Sequence, residues 1–124
     1  MYRLMVRRTF AAAHFLPGYD GKCRNLHGHN WTVDVFFKSL FLDQNGIAID
    51  FKEIKNKLDE ILEKLDHTNL NELDYFKKWP PSCENISYYI YMILEKHNWN
   101  QAWLNFVRVW ESENSYAEYS ECDN

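Results

Sequence analysis

Apolar and polar positions alternate along two long stretches near the start of the chain. Tyr2, Leu4, Val6 and Arg8 share one parity, and Met5, Arg7, Thr9, Ala11 and Ala13 share the other. A period of two with Val6, Thr9 and Phe10 as strand formers predicts a strand over Tyr2–Phe15. The pattern blurs at Phe10-Ala11-Ala12-Ala13, where three alanines would also suit a helix start. The turn group Pro17-Gly18-Tyr19-Asp20-Gly21 follows too soon for one. A loop over Leu16–Leu26 leads to a second strand, His27–Leu42. Its apolar parity runs through Trp31, Val33, Val35 and Phe37, and Asn30, Thr32, Asp34, Phe36 and Lys38 take the other. Asp43-Gln44-Asn45-Gly46 is a strong turn, and Ile47–Asp50 is expected to extend the sheet edge.

The period then lengthens. Asp50 stands as a capping residue before Phe51, Ile54, Leu58, Ile61, Leu62 and Leu65, a helical stripe opposite Lys52, Lys55, Asn56, Asp59 and Lys64. Leu73–Trp79 reads as irregular, with its aromatics pinning the loop. Ser82 caps a second helix whose stripe is Ile86, Tyr89, Ile90, Ile93 and Leu94, ending near Asn98 and Asn100. A third strand follows over Ala102–Glu111, with Val107, Val109 and Glu111 on one parity. Asn114-Ser115 turns into a last strand, Tyr116–Ser120. The predicted order is ββααββ, an α+β domain over residues 1–124. Two helices cover one face of a four-stranded antiparallel sheet. If the first two strands are antiparallel neighbours, His14 returns beside His27 and His29.

Composition narrows the function classes. The 124 residues are enough for one ordinary domain, and 46% apolar with 17% aromatic residues argues against disorder. Five Trp, eight Tyr and eight Phe are many for this length and suit subunit contacts. A formal charge of −4 gives no drive toward nucleic acid. No apolar run is long enough to span a bilayer, and Arg7 and Arg8 interrupt any secretory leader. Cys23, Cys83 and Cys122 are odd in number and widely spaced, unlike a disulfide framework, so a reducing cytoplasm is expected.

The chemistry gathers around Cys23-Arg24-Asn25-Leu26-His27-Gly28-His29. On an extended segment His27 and His29 point the same way. With His14 they offer three neutral imidazoles, the donor set of a catalytic zinc with one open position. The spacing matches neither a zinc finger nor a His-Glu-x-x-His helix. The competing reading is three ordinary half-buried histidines. Asp66 and His67, just after the first helix, can bring a carboxylate and a base to one corner. Arg3, Arg7, Arg8, Lys22 and Arg24 form a basic first fifth of the chain, suited to an anionic substrate or plain solvated surface.

Taken together, Ala-Ala-His14-Phe, Cys23-x-x-x-His27-Gly28-His29-Asn30, Leu65-Asp66-His67, Pro81-Ser82-Cys83-Glu84-Asn85 and Val109-Trp110-Glu111 resemble the 6-pyruvoyltetrahydropterin synthase family over nearly the whole chain. The short gap between Cys23 and His27 looks most like the bacterial 6-carboxy-5,6,7,8-tetrahydropterin synthase branch. The resemblance implies the tunnelling fold, with trimers stacked as hexamers. It implies Zn2+ on His14, His27 and His29, a proton-transferring thiolate at Cys23, and acid–base partners at Asp66 and His67. It implies a pterin anchor at Glu111. Arg24, beside Cys23, is the first choice for the substrate's triphosphate. Cys83 departs from the usual motif.

The implied reaction converts 7,8-dihydroneopterin triphosphate, a small-molecule substrate, to 6-carboxytetrahydropterin, a queuosine precursor, with loss of acetaldehyde and triphosphate. Elimination of triphosphate to the pyruvoyl product is the nearest alternative. A GTP-hydrolysing relative and a non-catalytic, zinc-stabilised interaction protein are the others.

Overall fold

The computed structural model describes residues 1–18 and 20–121, and the backbone but not the side chain of Cys23. Among the described residues its frame is a sheet of five strands, β1 (Tyr2–His14), β2 (His27–Ser39), β3 (Thr68–Asn69), β4 (Ala102–Ser112) and β5 (Ser115–Tyr119), laid edge to edge as β3-β1-β2-β4-β5. Strands β1 (Tyr2–His14) and β2 (His27–Ser39) pair antiparallel in unbroken register from Tyr2 opposite Ser39 to His14 opposite His27. Strand β4 (Ala102–Ser112) runs antiparallel to β2, and β5 (Ser115–Tyr119) antiparallel to β4.

Two predictions about the sheet are corrected. The four-stranded antiparallel sheet gains a fifth strand, β3 (Thr68–Asn69), which lies parallel to β1 against Ala12 and Ala13 and makes the sheet mixed. Two residues are too few for any period to announce. Ile47–Asp50 forms no strand; Asp43 instead accepts the backbone N–H groups of Asn45 and Ile47 and folds the segment into a turn.

Three α-helices are present among the described residues. Helix α1 (Phe51–Glu63) begins where Asp50 accepts the Lys52 N–H at 2.9 Å, and α3 (Cys83–Leu94) where Ser82 Oγ accepts the Asn85 N–H at 3.1 Å. Both caps satisfy N–H groups that a first helical turn leaves without partners. The third, α2 (Asp74–Lys78), occupies the stretch predicted as irregular, where Phe76 is buried against the core. No helix among the described residues is long and apolar enough to cross a membrane.

The core lies between the helices and one sheet face. Val6 and Phe10 of β1, Trp31, Val33, Val35 and Phe37 of β2, and Val107 and Val109 of β4 meet Ile54, Leu58, Ile86 and Ile90 of the helices. This is the parity that the alternation singled out. Among the described residues, the opposite face carries no helix. There Asp34, almost fully buried, accepts from Arg7 at 2.6 and 2.9 Å and from Trp110 Nε1 at 2.9 Å. Arg108 lies over the rings of Phe36, Phe106 and Tyr116 and donates to Glu118 at 2.8 Å.

Candidate functional site

Register brings the histidines together. His14 faces His27 across the β1–β2 ladder, and Ala12 faces His29, so all three rings emerge on the core side at one end of the sheet. Ring centroids are 4.6 Å apart for His14–His27, 5.1 Å for His14–His29 and 4.7 Å for His27–His29. Trp31 floors the cluster, edge-on to His14 and His29, and its Nε1 donates to the Ala12 carbonyl at 3.1 Å.

Two of the rings are oriented by backbone carbonyls. His14 Nδ1 is 2.7 Å from the Pro81 carbonyl, and His27 Nδ1 is 2.7 Å from the Asn25 carbonyl. A carbonyl can only accept, so each Nδ1 carries the proton and each Nε2 presents a lone pair. The Nε2 atoms of His14 and His29 are buried without a hydrogen-bond partner among the described residues. Burial pushes the His14 imidazole below its ordinary pKa, reinforced by the rings of His27 and His29 and only partly opposed by Pro81 and Glu111. Burial likewise lowers His29, with Glu111 opposing. Neutral rings are the form that binds metal.

The ligand atoms of His14, His27 and His29 all lie within 4.8 Å of one another. Buried imidazole nitrogens with no hydrogen-bond partner among the described residues, one of them on a His14 ring whose Nδ1 is already tied to Pro81, are what a metal ion would satisfy. The residues therefore fit a metal.

Glu111 joins the cluster from β4. It keeps the parity of Val107 and Val109, and the β4–β5 register shifts between Trp110 and Ser112, so Glu111 sits at a bulge. Its Oε1 lies 3.6 Å from His29 Nε2, and its Oε2 is 3.9 Å from the Cys83 thiol. Burial pushes that thiol up to about 12, with Glu111 and Glu84 adding to the effect, so it stays protonated and donates toward the carboxylate. Proximity of Cys83 to Glu111 is not legible in the sequence, because the two come from different elements.

Asp66 and His67 form a dyad on the other side of β1. Asp66 Oδ1 accepts the Ala11 N–H at 2.9 Å, and the His67 N–H donates to the Ala11 carbonyl. His67 Nδ1 lies 3.0 Å from Asp66 Oδ2. The Ala11 hydrogen bond, aided by His67, holds the Asp66 carboxyl below its ordinary range. His67 has a φ of 58°, a left-handed conformation that His tolerates better than most side chains, and its ring is 82% exposed. Among the described residues no hydrogen bond or ion pair links the dyad to the histidine cluster. Ala11 precedes His14 by three residues, roughly 10 Å along a strand.

Cys23 lies in the 3-10 turn Lys22–Arg24, four residues before His27. Its side chain, the predicted thiolate, lies outside the described residues, as does Cys122. Arg24 is exposed, with Nη1 3.7 Å from Asp20 Oδ1. Sequence reasoning missed the Pro81 and Asn25 carbonyls, since nothing in a side-chain pattern marks a backbone acceptor. The rigid Pro80-Pro81 pair was the one available signal.

Residues 3–122 match the family model described as 6-pyruvoyl tetrahydropterin synthase. The chain is 36% identical to the 6-carboxy-5,6,7,8-tetrahydropterin synthase of Synechocystis, covering 90% of this chain and 87% of that protein. It is 30% identical to the Haemophilus influenzae protein of the same name, covering 98% and 100%. The solved structure of Caenorhabditis elegans 6-pyruvoyl tetrahydropterin synthase superposes with a TM-score of 0.84 at 26% identity, over 98% of each protein. With the strand order, the paired histidines and the match along nearly its full length, the chain belongs to the 6-pyruvoyl tetrahydropterin synthase family.

Proposed function

We propose that this protein is a zinc-dependent 6-carboxy-5,6,7,8-tetrahydropterin synthase. It takes 7,8-dihydroneopterin triphosphate and one water to 6-carboxytetrahydropterin, acetaldehyde and triphosphate, serving queuosine biosynthesis in the cytoplasm. The observation that carries the reading is the convergence of His14, His27 and His29 beside the Glu111 carboxylate. The names of the Synechocystis and Haemophilus relatives support the carboxy product.

Each residue has a task that its chemistry suits. His14, His27 and His29 would hold the ion through their free ring nitrogens. Zinc, when bound there, supplies a Lewis-acidic centre that polarises oxygens of the substrate's three-carbon tail. Glu111 accepts two N–H groups of the pterin edge, a charge-assisted pair that fixes the ring. Cys23, flanked by Lys22 and Arg24, acts as thiolate base on a C–H bond of that tail. His67 relays a proton to or from the substrate, and Asp66, 3.0 Å from its Nδ1, orients it. Arg24 takes the triphosphate.

The dyad is exposed on the β3 side of β1, away from the cluster within one protomer. That supports a site completed between copies of one domain, residues 1–124, assembled as a trimer or hexamer. The pyruvoyl product is the second reading, favoured by the likeness to the Caenorhabditis elegans enzyme.

The deciding experiment supplies the zinc-loaded protein with 7,8-dihydroneopterin triphosphate and follows acetaldehyde, triphosphate and pterin mass. Acetaldehyde with the carboxy product is expected. Triphosphate release with the three-carbon tail retained selects the pyruvoyl reading. Turnover of GTP in place of the pterin, or bound zinc with no turnover, overturns both.

A further inference from the structure

The loop before α3 reaches across to the metal cluster through backbone alone. The Ser82 N–H donates to the Pro80 carbonyl at 2.8 Å, which puts Pro81 at the centre of a three-residue turn. The same Pro80 carbonyl accepts Nδ2 of Asn85 at 2.8 Å. Asn85 is itself fixed in the first turn of α3, because its N–H is taken by Ser82 Oγ at 3.1 Å. The Pro81 carbonyl that leaves this turn is the one that accepts Nδ1–H of His14 at 2.7 Å. His14 is 1% exposed, so water offers no replacement acceptor if that carbonyl turns away.

We propose that Asn85 is a positioning residue for the metal centre. Its amide clamps the Pro80-Pro81-Ser82 turn onto α3, holds the Pro81 carbonyl on His14, and so keeps His14 in the tautomer that offers Nε2 to the ion. The inference rests on the reading of His14, His27 and His29 as metal ligands. The Ser82 N–H shares the Pro80 carbonyl from within the turn, and the Asn85 amide adds a second donor to it from within α3. The Pro81 carbonyl is the group bonded to the ligand ring, a contact whose loss typically weakens metal binding by about 10–100-fold, and Asn85 acts on the ion only through it.

The test measures the zinc dissociation constant of the full-length protein by competition with a chromophoric chelator, using zinc alone as probe. Four variants are compared: Asn85→Ala, Asn85→Asp, His14→Ala and, as a stability control, Trp99→Phe, which removes a buried hydrogen bond to Leu94 far from the site. Asn85→Asp keeps the side-chain shape and suits the helix N-terminus, yet cannot donate to Pro80. Both Asn85 variants are expected to bind zinc about tenfold more weakly, the lower end of that range, and Trp99→Phe as wild type does. Imidazole nitrogen NMR of the zinc-free protein should show His14 as the Nδ1–H tautomer in wild type and a mixture in both Asn85 variants. Wild-type zinc affinity in both Asn85 variants, with binding lost in His14→Ala, overturns the proposal and leaves the metal reading standing. Wild-type affinity in His14→Ala overturns the metal reading and the proposal with it.

Discussion

Glu111 Oε1 stands 3.6 Å from Nε2 of His29, so the proposed pterin anchor and the proposed metal cluster are immediate neighbours. Its other oxygen faces the protonated Cys83 thiol. Glu111→Gln keeps the shape and removes the charge that would accept two pterin N–H groups. Pterin binding should weaken by about 2 kcal/mol, within the range for hydrogen bonds to charged groups. Zinc content should be unchanged. Calorimetric titration with a pterin, alongside metal analysis, checks both; unaltered pterin affinity would remove Glu111 as the anchor.

The metal should stabilise the fold as well as bind. A ligand at a free concentration of 100 times its dissociation constant adds about 2.7 kcal/mol to the folded state. Scanning calorimetry should therefore show Tm rising by several degrees when zinc is restored to chelator-treated protein. His27→Ala and His29→Ala should lose both the bound zinc and this rise. A zinc-dependent shift that persists in all three single histidine variants would place the ion elsewhere.

The two thiols of the site region should behave oppositely. Cys23→Ala should retain fold and zinc while turnover falls about a hundredfold or more, the scale of general acid–base catalysis. Cys83, held up at about 12, has a thiolate fraction at pH 8 on the order of one in ten thousand and should resist alkylation. Cys83→Ala and Cys122→Ala should keep most activity. Mass mapping after brief iodoacetamide treatment, paired with acetaldehyde assays, separates the roles.

Asp34 should set the acid limit of stability. Burial alone would raise its carboxyl, but hydrogen bonds from Arg7 and Trp110 and the charges of Arg7 and Arg108 more than offset this and hold it below the ordinary range. A depressed folded-state pKa contributes stability that is present above the ordinary value of about 3.9 and is lost as pH falls through the folded value. Asp34→Asn should cost about 2 kcal/mol at pH 7. Arg7 is 56% exposed, so its charge rehydrates and the loss stays short of that for a fully buried pair. Urea melts at pH 7 and pH 3 should show a smaller acid-induced loss in Asp34→Asn than in wild type.

The proposal that copies share a site is open to a complementation test. Cys23→Ala and His67→Asn should each be nearly inactive as homo-oligomers. Mixed oligomers formed by co-expression should recover part of the activity, because some sites would combine an intact Cys23 with an intact His67. No recovery in mixed oligomers of verified composition would return the dyad to its own protomer's site.

Local patterns determined much of this protein in advance. The parity of Val33, Val35 and Phe37 placed the core on one sheet face, and the same parity carried His27 and His29 onto that face. Asp50 and Ser82 announced the starts of α1 and α3. These features depend on residues within four positions of one another, so a sequence displays them directly. Glu111 shared its parity with Val107 and Val109, but its approach to His29 needed β4 paired beside β2.

Tertiary structure decided what local periodicity cannot encode. Pro81 lies 67 residues from the His14 ring that it orients, and Asp66 lies 55 residues from the Ala11 N–H that it accepts. Each contact involves a backbone group, and every residue but proline carries the same pair of them, so no residue type advertises the partner. The two-residue β3 is too short to show a period, and it forms because the segment leaving α1 is docked on Ala11 before it reaches Thr68. The meeting of Cys83 with Glu111 likewise needs α3 packed across β4, a relation set by the buried core between them rather than by either segment alone.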